Sequence, residues 1–334
     1  MRVAVVDVGT NSVRLLLASV EGGRVHDVVR ETTVTRLGAG VDQRRRLDAA
    51  AAERTRACLA GYGAQMAGFA PEASLLVATS VLRDAADSPA FLDRLAAELT
   101  LPWRILTGEQ EAALSFAGAL SGRVAAHGPG GCAAAPPGRP ATVVIDIGGG
   151  SLELAVGTQS GAVTPSAGAL DSAPTLASPS FVRSLDIGVV RLTERFFASD
   201  PPGDAQWRAA RAFARSTLTH AVPHDVQGVV GRGIGLAGTF TTLVAHKLAM
   251  RTYDGTLVHG HELSLADLDG ALREFRRQTS AERGRTAGIQ PGREDVILAG
   301  VLLAREVCRL FDLAAVTVSE ADLLDGVALS LAGE

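Results

Sequence analysis

The chain opens on a valine-rich run, residues 3 to 8, whose one polar residue is Asp7, after which Val13, Leu15 and Leu17 alternate with other residues. Such a run followed by period-two alternation predicts two strands joined by a short turn, and a further strand-like stretch near Arg24 to Thr35 makes the opening a meander. Gln43 to Ala67, rich in Ala, Arg, Glu and Leu, predicts a helix. Strand Leu75 to Ala78, helix Pro89 to Leu99, strand Trp103 to Leu106 and helix Glu109 to Leu120 follow. Strands that alternate with helices imply an α/β first domain. After a second apolar hairpin at Val144, helices are predicted near Val189 to Phe197, Asp204 to Ala221, Thr239 to Ala249, Leu265 to Gln278 and Arg293 to Phe311. Strands Gly233 to Ala237 and Ala315 to Ser319 are set among them, and a last helix closes the chain.

The periodicity fails twice. Gly122 to Ala141 and Thr158 to Ser180 are Ala-, Gly-, Pro- and Ser-rich without an amphipathic repeat, and both read as surface segments. The first marks the domain junction, which gives a domain I of residues 1–124, completed by 316–334, and a domain II of residues 125–315.

Composition narrows the function class. With 334 residues and 47% hydrophobic content the chain is long enough for two cored domains. A net charge of -4 offers no global attraction to nucleic acid or an anionic membrane, so an anionic ligand must be gripped locally. Cys58, Cys132 and Cys308 lie far apart in no metal-ligand spacing, as reduced thiols of a cytoplasmic protein do. No apolar run reaches membrane-spanning length, and the start lacks a signal-peptide pattern. Basic charge is almost wholly arginine, Lys247 being the one lysine.

The most informative pattern is a repeat. Residues 5 to 15, VVDVGTNSVRL, match residues 144 to 154, VIDIGGGSLEL, in register at a single offset, 146 − 7 = 139. A strand, an Asp-x-Gly turn and a second strand, occurring twice at domain-scale separation, predict two related domains. Glycines in such a turn let successive backbone N–H groups converge on phosphate oxygens. The candidate phosphate binders are therefore Gly9, Thr10, Asn11 and Ser12 in the first turn and Gly148, Gly149, Gly150 and Ser151 in the second. A carboxylate at each strand end would repel phosphate, so Asp7 and Asp146, with Glu153 beside them in the second hairpin, are candidate ligands of Mg²⁺ or Mn²⁺ that bridges to phosphate. Because a strand and not a helix follows each turn, a P-loop or dinucleotide fingerprint is excluded.

Seven motifs in order resemble the exopolyphosphatase/guanosine pentaphosphate phosphohydrolase (Ppx/GppA) family: DVGTNSVRLLLA at Asp7, ATSVLRDA at Ala78, LTGEQEA at Leu106, VIDIGGGSLEL at Val144, SLDIGVVRLTE at Ser184, GLAGTFTTL at Gly235 and GIQPGREDVILAG at Gly288. The resemblance spans nearly the whole chain and is to the short, two-domain type found among actinobacteria. It implies an α/β fold of two actin-like (ribonuclease H-like) domains of the sugar kinase/actin superfamily about an interdomain cleft. The helix after VSEADLLDG, Val318 to Gly326, would return to the first domain. It further implies hydrolysis of the terminal phosphoanhydride of inorganic polyphosphate, with guanosine pentaphosphate or other nucleotides as the alternative substrates. A metal-dependent site is expected, and the resemblance allows a monovalent cation and a homodimer.

The family's catalytic glutamate maps to Glu111, which would orient or deprotonate the attacking water, while its neighbour Glu109 suits the positive end of the helix dipole. Arg83, after a strand and the pair Thr79-Ser80, is the candidate for a bidentate phosphate contact, with a surface pair to Asp84 or Asp87 as the alternative. Gly238 and Thr239, at a strand-to-helix junction, are candidate donors to phosphate or to a nucleotide. Arg191 and Arg293 have weaker claims, since each can pair with acids nearby, and Asp186 and Gly188 are placed to line the cleft. His259 and His261, which alternate on one strand face with Glu262 next to them, suggest metal ligation only superficially because no third convergent ligand is evident, and they read as structural. Arg44 to Arg46 reads as a solvated helix face.

Overall fold

The computed structural model describes residues 1–121, 137–158 and 178–333. The two low-complexity segments lie for most of their length outside these residues. The chain divides into two compact units, one made of Met1–Ser121 with the C-terminal segment from Leu323, the other ending at Asp322.

In unit 1, strands β1 (Arg2–Val8), β2 (Ser12–Glu21) and β3 (Arg24–Val34) form the antiparallel meander. Helices α1 (Val41–Arg44) and α2 (Ala49–Phe69) lead to β4 (Ala73–Ala78), then α3 (Ser80–Asp84), α4 (Ser88–Leu99), β5 (Trp103–Ile105) and α5 (Gly108–Leu120). β4 and β5 are parallel to β1, and the order is β3-β2-β1-β4-β5. Both faces of this sheet are covered, which is why β1 reads as an almost continuous apolar run. Ala4, Val6 and Val8 join a core with Leu59, Tyr62, Phe91 and Leu92, whereas Val3 and Val5 face Leu114 and Ala117 of α5. Asp7 continues the Val3–Val5 side by strand alternation, so the turn's carboxylate is on the sheet face that α5 covers.

In unit 2 the strands are β6 (Ala141–Ile147), β7 (Leu152–Gly157) and β8 (Phe181–Leu185), followed by α6 (Val189–Phe196), α7 (Asp204–Ala221) and α8 (His224–Val229). Next come β9 (Val230–Leu236), α9 (Ala237–Lys247), α10 (Gly255–Val258), β10 (Glu262–Ser264), α11 (Leu265–Phe275), α12 (Ser280–Arg283), α13 (Ile297–Leu310) and β11 (Ala315–Val318). The sheet order is β10-β11-β9-β6-β7-β8. Read from β8, the sequence β8-β7-β6-β9-β11 repeats β3-β2-β1-β4-β5, with three antiparallel strands and two further strands parallel to the first. The hairpin repeat is therefore one part of a repeated sheet.

The last helix, α14 (Leu323–Gly333), belongs to unit 1, where Leu324, Val327 and Ala328 join the core of α5 and β1. The expected return to the first domain at residue 316 comes later, because β11 is hydrogen-bonded into the second sheet between β9 and β10 and the crossing falls at Leu323. Gly326 permits this packing, since a Cβ there would lie 2.0 Å from the Leu114 carbonyl oxygen. Asp325, fully buried, accepts a 2.7 Å bond from Arg30 of β3.

Candidate functional site

The candidate residues of unit 1 gather at the carboxyl ends of the parallel strands β1, β4 and β5, the edge at which open α/β sheets bind ligands. β1 delivers Asp7, 4% exposed, and the turn that follows it. Arg14, directly opposite on β2, donates from Nε and Nη2 to Asp7 Oδ2, both at 2.9 Å. Asp7 thus has a guanidinium built into its own hairpin. The turn is closed by a 3.0 Å bond from Gly9 N–H to the Ser12 carbonyl. Thr10 Oγ1 lies 2.9 Å from Ser80 Oγ, which ties the turn to the start of α3.

Arg83, on α3 after β4, reaches across to the segment after β5. Its Nη1 donates to the Leu106 carbonyl and to Glu111 Oε2, each at 2.8 Å. Neither Asp84 nor Asp87 holds it; these lie 3.8 Å from Arg45 and Arg46. Glu111, 7% exposed, sits in the first turn of α5, whose N-terminus is fixed by a capping box between Thr107 and Gln110. Glu109 occupies the same turn, where a carboxylate complements the helix dipole. A shallow pocket of about 420 Å³, lined by Arg83, Pro89, Leu106 and Thr107 among others, opens beside this pair. Among the candidates, then, unit 1 brings Arg83 and Glu111 into contact and sets Asp7 and the first turn on the same sheet edge.

In unit 2 the second turn is closed as the first is, by a 3.0 Å bond from Gly148 N–H to the Ser151 carbonyl. Asp146 and Glu153 are directly opposed on β6 and β7, 6% and 1% exposed. Opposed residues share a face with Cβ atoms about 4.5–5.5 Å apart, so the two carboxylates are neighbours. Glu153 Oε1 also accepts a 2.7 Å bond from Ser184 Oγ of β8. The donors are all oxygen, the chemistry that suits a hard divalent cation. Among the described residues no group of three or more His, Cys, Asp or Glu is arranged to hold a metal. A pair of carboxylates could hold an ion that keeps waters and takes its remaining ligands from phosphate, as Mg²⁺ does.

Gly238 and Thr239 lie in the first turn of α9, directly after Ala237, which takes a left-handed φ of 63°. The Arg293 guanidinium covers Gly238, where a Cβ would meet Nη1 at 1.6 Å, and Thr239 is packed against Gly300 of α13. Arg191 lies 3.7 Å from Asp186. His259 Nδ1 accepts the Glu320 amide at 3.1 Å, and burial followed by the Lys247 charge lowers the pKa of His261.

The sequence reading missed Arg14 and Ser80. The signal for Arg14 was present: a tight hairpin that pairs Val8 with Val13 must pair Asp7 with the residue at 14. No local signal pointed to Ser80, whose partner is 70 residues away.

Two sheets with the same strand order, each opening on an Asp-x-Gly hairpin, define a protein of actin-like units. Comparison with known proteins gives its family. The Ppx/GppA phosphatase family model matches residues 16–334. Exopolyphosphatase 2 of Mycobacterium tuberculosis (strain ATCC 25618 / H37Rv) is 38% identical over 99% of both chains. A solved exopolyphosphatase-like protein is 32% identical, with a TM-score of 0.84 over 100% of this chain and 99% of its own. The Ppx/GppA family member of Aquifex aeolicus is 29% identical, with a TM-score of 0.75 over 99% of this chain and 97% of its own. The chain belongs to the Ppx/GppA phosphatase family and is a hydrolase. Among the described residues no helix is long and apolar enough to cross a membrane.

Proposed function

We propose that the protein is an exopolyphosphatase, which releases orthophosphate from the end of inorganic polyphosphate in a reaction that requires Mg²⁺ or Mn²⁺. The contact between Glu111 and Arg83 carries this reading, supported by the name of the M. tuberculosis relative. A carboxylate held beside a guanidinium pairs a general base with a phosphoryl-binding cation, the two groups that in-line attack by water needs from the protein. In this reading Glu111 accepts the water proton as the oxygen–phosphorus bond forms. The bridging oxygen of the terminal anhydride leaves with the shortened chain. Arg83 offsets charge on the transferred group, and the turn amides of Gly9 to Ser12 bind phosphate oxygens in unit 1, as those of Gly148 to Ser151 are built to do in unit 2. Asp146 and Glu153 would hold the divalent cation, which supplies charge neutralisation when bound. Asp7, paired with Arg14, serves the first turn without needing to ligate that ion.

The test is phosphate release by the purified protein from polyphosphate of short and long chain length with Mg²⁺, with guanosine pentaphosphate as competing substrate. Orthophosphate released from polyphosphate and little inhibited by the nucleotide supports the reading. No release at any chain length overturns it, and preferential consumption of guanosine pentaphosphate moves the substrate to the nucleotide.

A further inference from the structure

Each candidate phosphate turn is gripped from behind by a later segment of its own unit. In unit 1 the chain leaving β3 folds back on the first turn. Thr35 and Arg36 donate their amides to the Asn11 carbonyl at 3.1 and 2.9 Å, and Gly38 donates to the Thr10 carbonyl at 2.8 Å. In unit 2 the chain leaving β8 does the same, Val189 donating to the Gly148 carbonyl at 3.0 Å and Val190 to the Gly149 carbonyl at 2.8 Å. An aliphatic residue and a glycine mark both braces, Leu37-Gly38 and Ile187-Gly188. Their spacing, 188 − 38 = 150, exceeds the hairpin offset of 139, so the brace repeats out of register with the turns it holds.

The brace dictates where the turn amides point. In a planar trans peptide the C=O and the following N–H are antiparallel. Carbonyls of Thr10 and Asn11 turned toward the brace direct the N–H groups of Asn11 and Ser12 away from it, and those of Gly148 and Gly149 do the same for the N–H groups of Gly149 and Gly150. A turn held in this way presents its donors on one side, as an anion site needs.

The two glycines are required for space and not for backbone angle. Gly188 has φ −65° and ψ 169°, open to any residue, and Gly38 is not among the positive-φ glycines. A Cβ at Gly188 would lie 2.4 Å from the Gly149 carbonyl carbon and oxygen, and one at Gly38 would lie 2.2 Å from Thr10 Cγ2. At Gly188 the obstacle is the turn's own backbone, which yields only if the turn moves.

We infer that Gly38 and Gly188 are positioning residues for the substrate phosphates, setting the direction of the amides in the two turns by letting the brace approach. The inference rests on the proposed phosphate-binding role of the turns. Restoring ordinary contact at Gly188 requires a shift of 3.4 − 2.4 = 1.0 Å, and a displacement of about 1 Å costs roughly 100-fold in catalysis. In the full chain, Gly188→Ala is expected to lower kcat/KM for polyphosphate by about that factor and to weaken tripolyphosphate binding, measured by calorimetry, in parallel.

Gly38→Ala supplies the control for misfolding. Thr10→Ser removes the Cγ2 that the new Cβ would strike while keeping the hydroxyl beside Ser80, so Gly38→Ala should cost far less in the Thr10→Ser background than in the wild type. An equal cost in both backgrounds, or Gly188→Ala with kcat/KM and tripolyphosphate affinity within about threefold of wild type, overturns the inference alone. A wild type that neither releases phosphate nor binds tripolyphosphate removes the functional reading, and the inference falls with it.

Discussion

Glu111→Gln separates chemistry from architecture at the proposed centre. The amide has the shape of the carboxylate and keeps an oxygen that can accept the 2.8 Å bond from Arg83, so the substitution removes charge and basicity and little else. The stability cost has two parts: about 0.3–1 kcal/mol from the helix dipole of α5, and roughly 1–2 kcal/mol from exchanging a charge-assisted hydrogen bond for a neutral one. Arg83 is 23% exposed and stays hydrated, so the roughly 3–5 kcal/mol lost when a buried pair is broken outright does not apply in full. A melting temperature lowered by several degrees is expected. A general base contributes about 10²–10⁴ in rate, which is about 2.7–5.4 kcal/mol of barrier at 1.36 kcal/mol per tenfold. Initial rates of phosphate release should show kcat lowered by that factor with tripolyphosphate affinity retained. If kcat stays within about threefold and KM rises, Glu111 contributes to substrate binding and not to the chemical step, and the assignment of the base fails.

Asp325→Ala removes the fully buried acceptor of Arg30, and because Arg30 keeps Asp27 at 2.8 Å the cost should fall near the lower end of about 3–5 kcal/mol, read as a shift in denaturant midpoint. An unchanged midpoint would show that the pair contributes nothing to unit 1. Asp267 is destabilised in its charged form by burial, but bonds from Lys247 and Ser264 outweigh this and lower its pKa, so its contribution is present above the ordinary carboxylate pKa and lost as pH falls through the depressed one. Asp267→Asn should therefore be less stable than wild type at pH 7 and converge with it in acid; a constant gap at all pH values would refute that linkage. Glu153→Gln should raise the Mg²⁺ concentration for half-maximal activity, and an unchanged metal titration would remove Glu153 from the proposed ligand set.

The alternation of apolar and polar positions carried most of the fold, because strands buried on both faces and helices packed on one leave strong periods. Its errors lie where single residues override the period. The helix expected from Gln43 is two, α1 and α2, since Arg45 adopts a left-handed φ of 54° and Asp48 caps a new start at the Ala51 amide. The helix expected from Arg293 begins at Ile297, after turns through Gly288 and Gly292 at φ 84° and 86°. β10, three residues long, is too short for any period to register. At the site, the hairpins were legible because their chemistry is local. The partner of Arg83 was not, since Glu111 is 28 residues distant and a nearby aspartate satisfies the same spacing logic.

The repeat also hid a chemical difference within its symmetry. At one offset, Asp7 matches Asp146 and Arg14 matches Glu153, and in both hairpins the matched residues face each other across the strands. One backbone therefore carries an Asp–Arg pair and the other an Asp–Glu pair. The first brings its own cation, at 2.9 Å from the carboxylate, and can meet phosphate as a near-neutral turn. The second places two carboxylates directly opposite each other, and in the proposed function a divalent cation shared by the two would offset their repulsion. Alignment by similarity scores Arg14 against Glu153 as a mismatch. Read as charge, that mismatch supports asymmetric roles for the hairpins, with the metal proposed for the second and direct phosphate contact for the first.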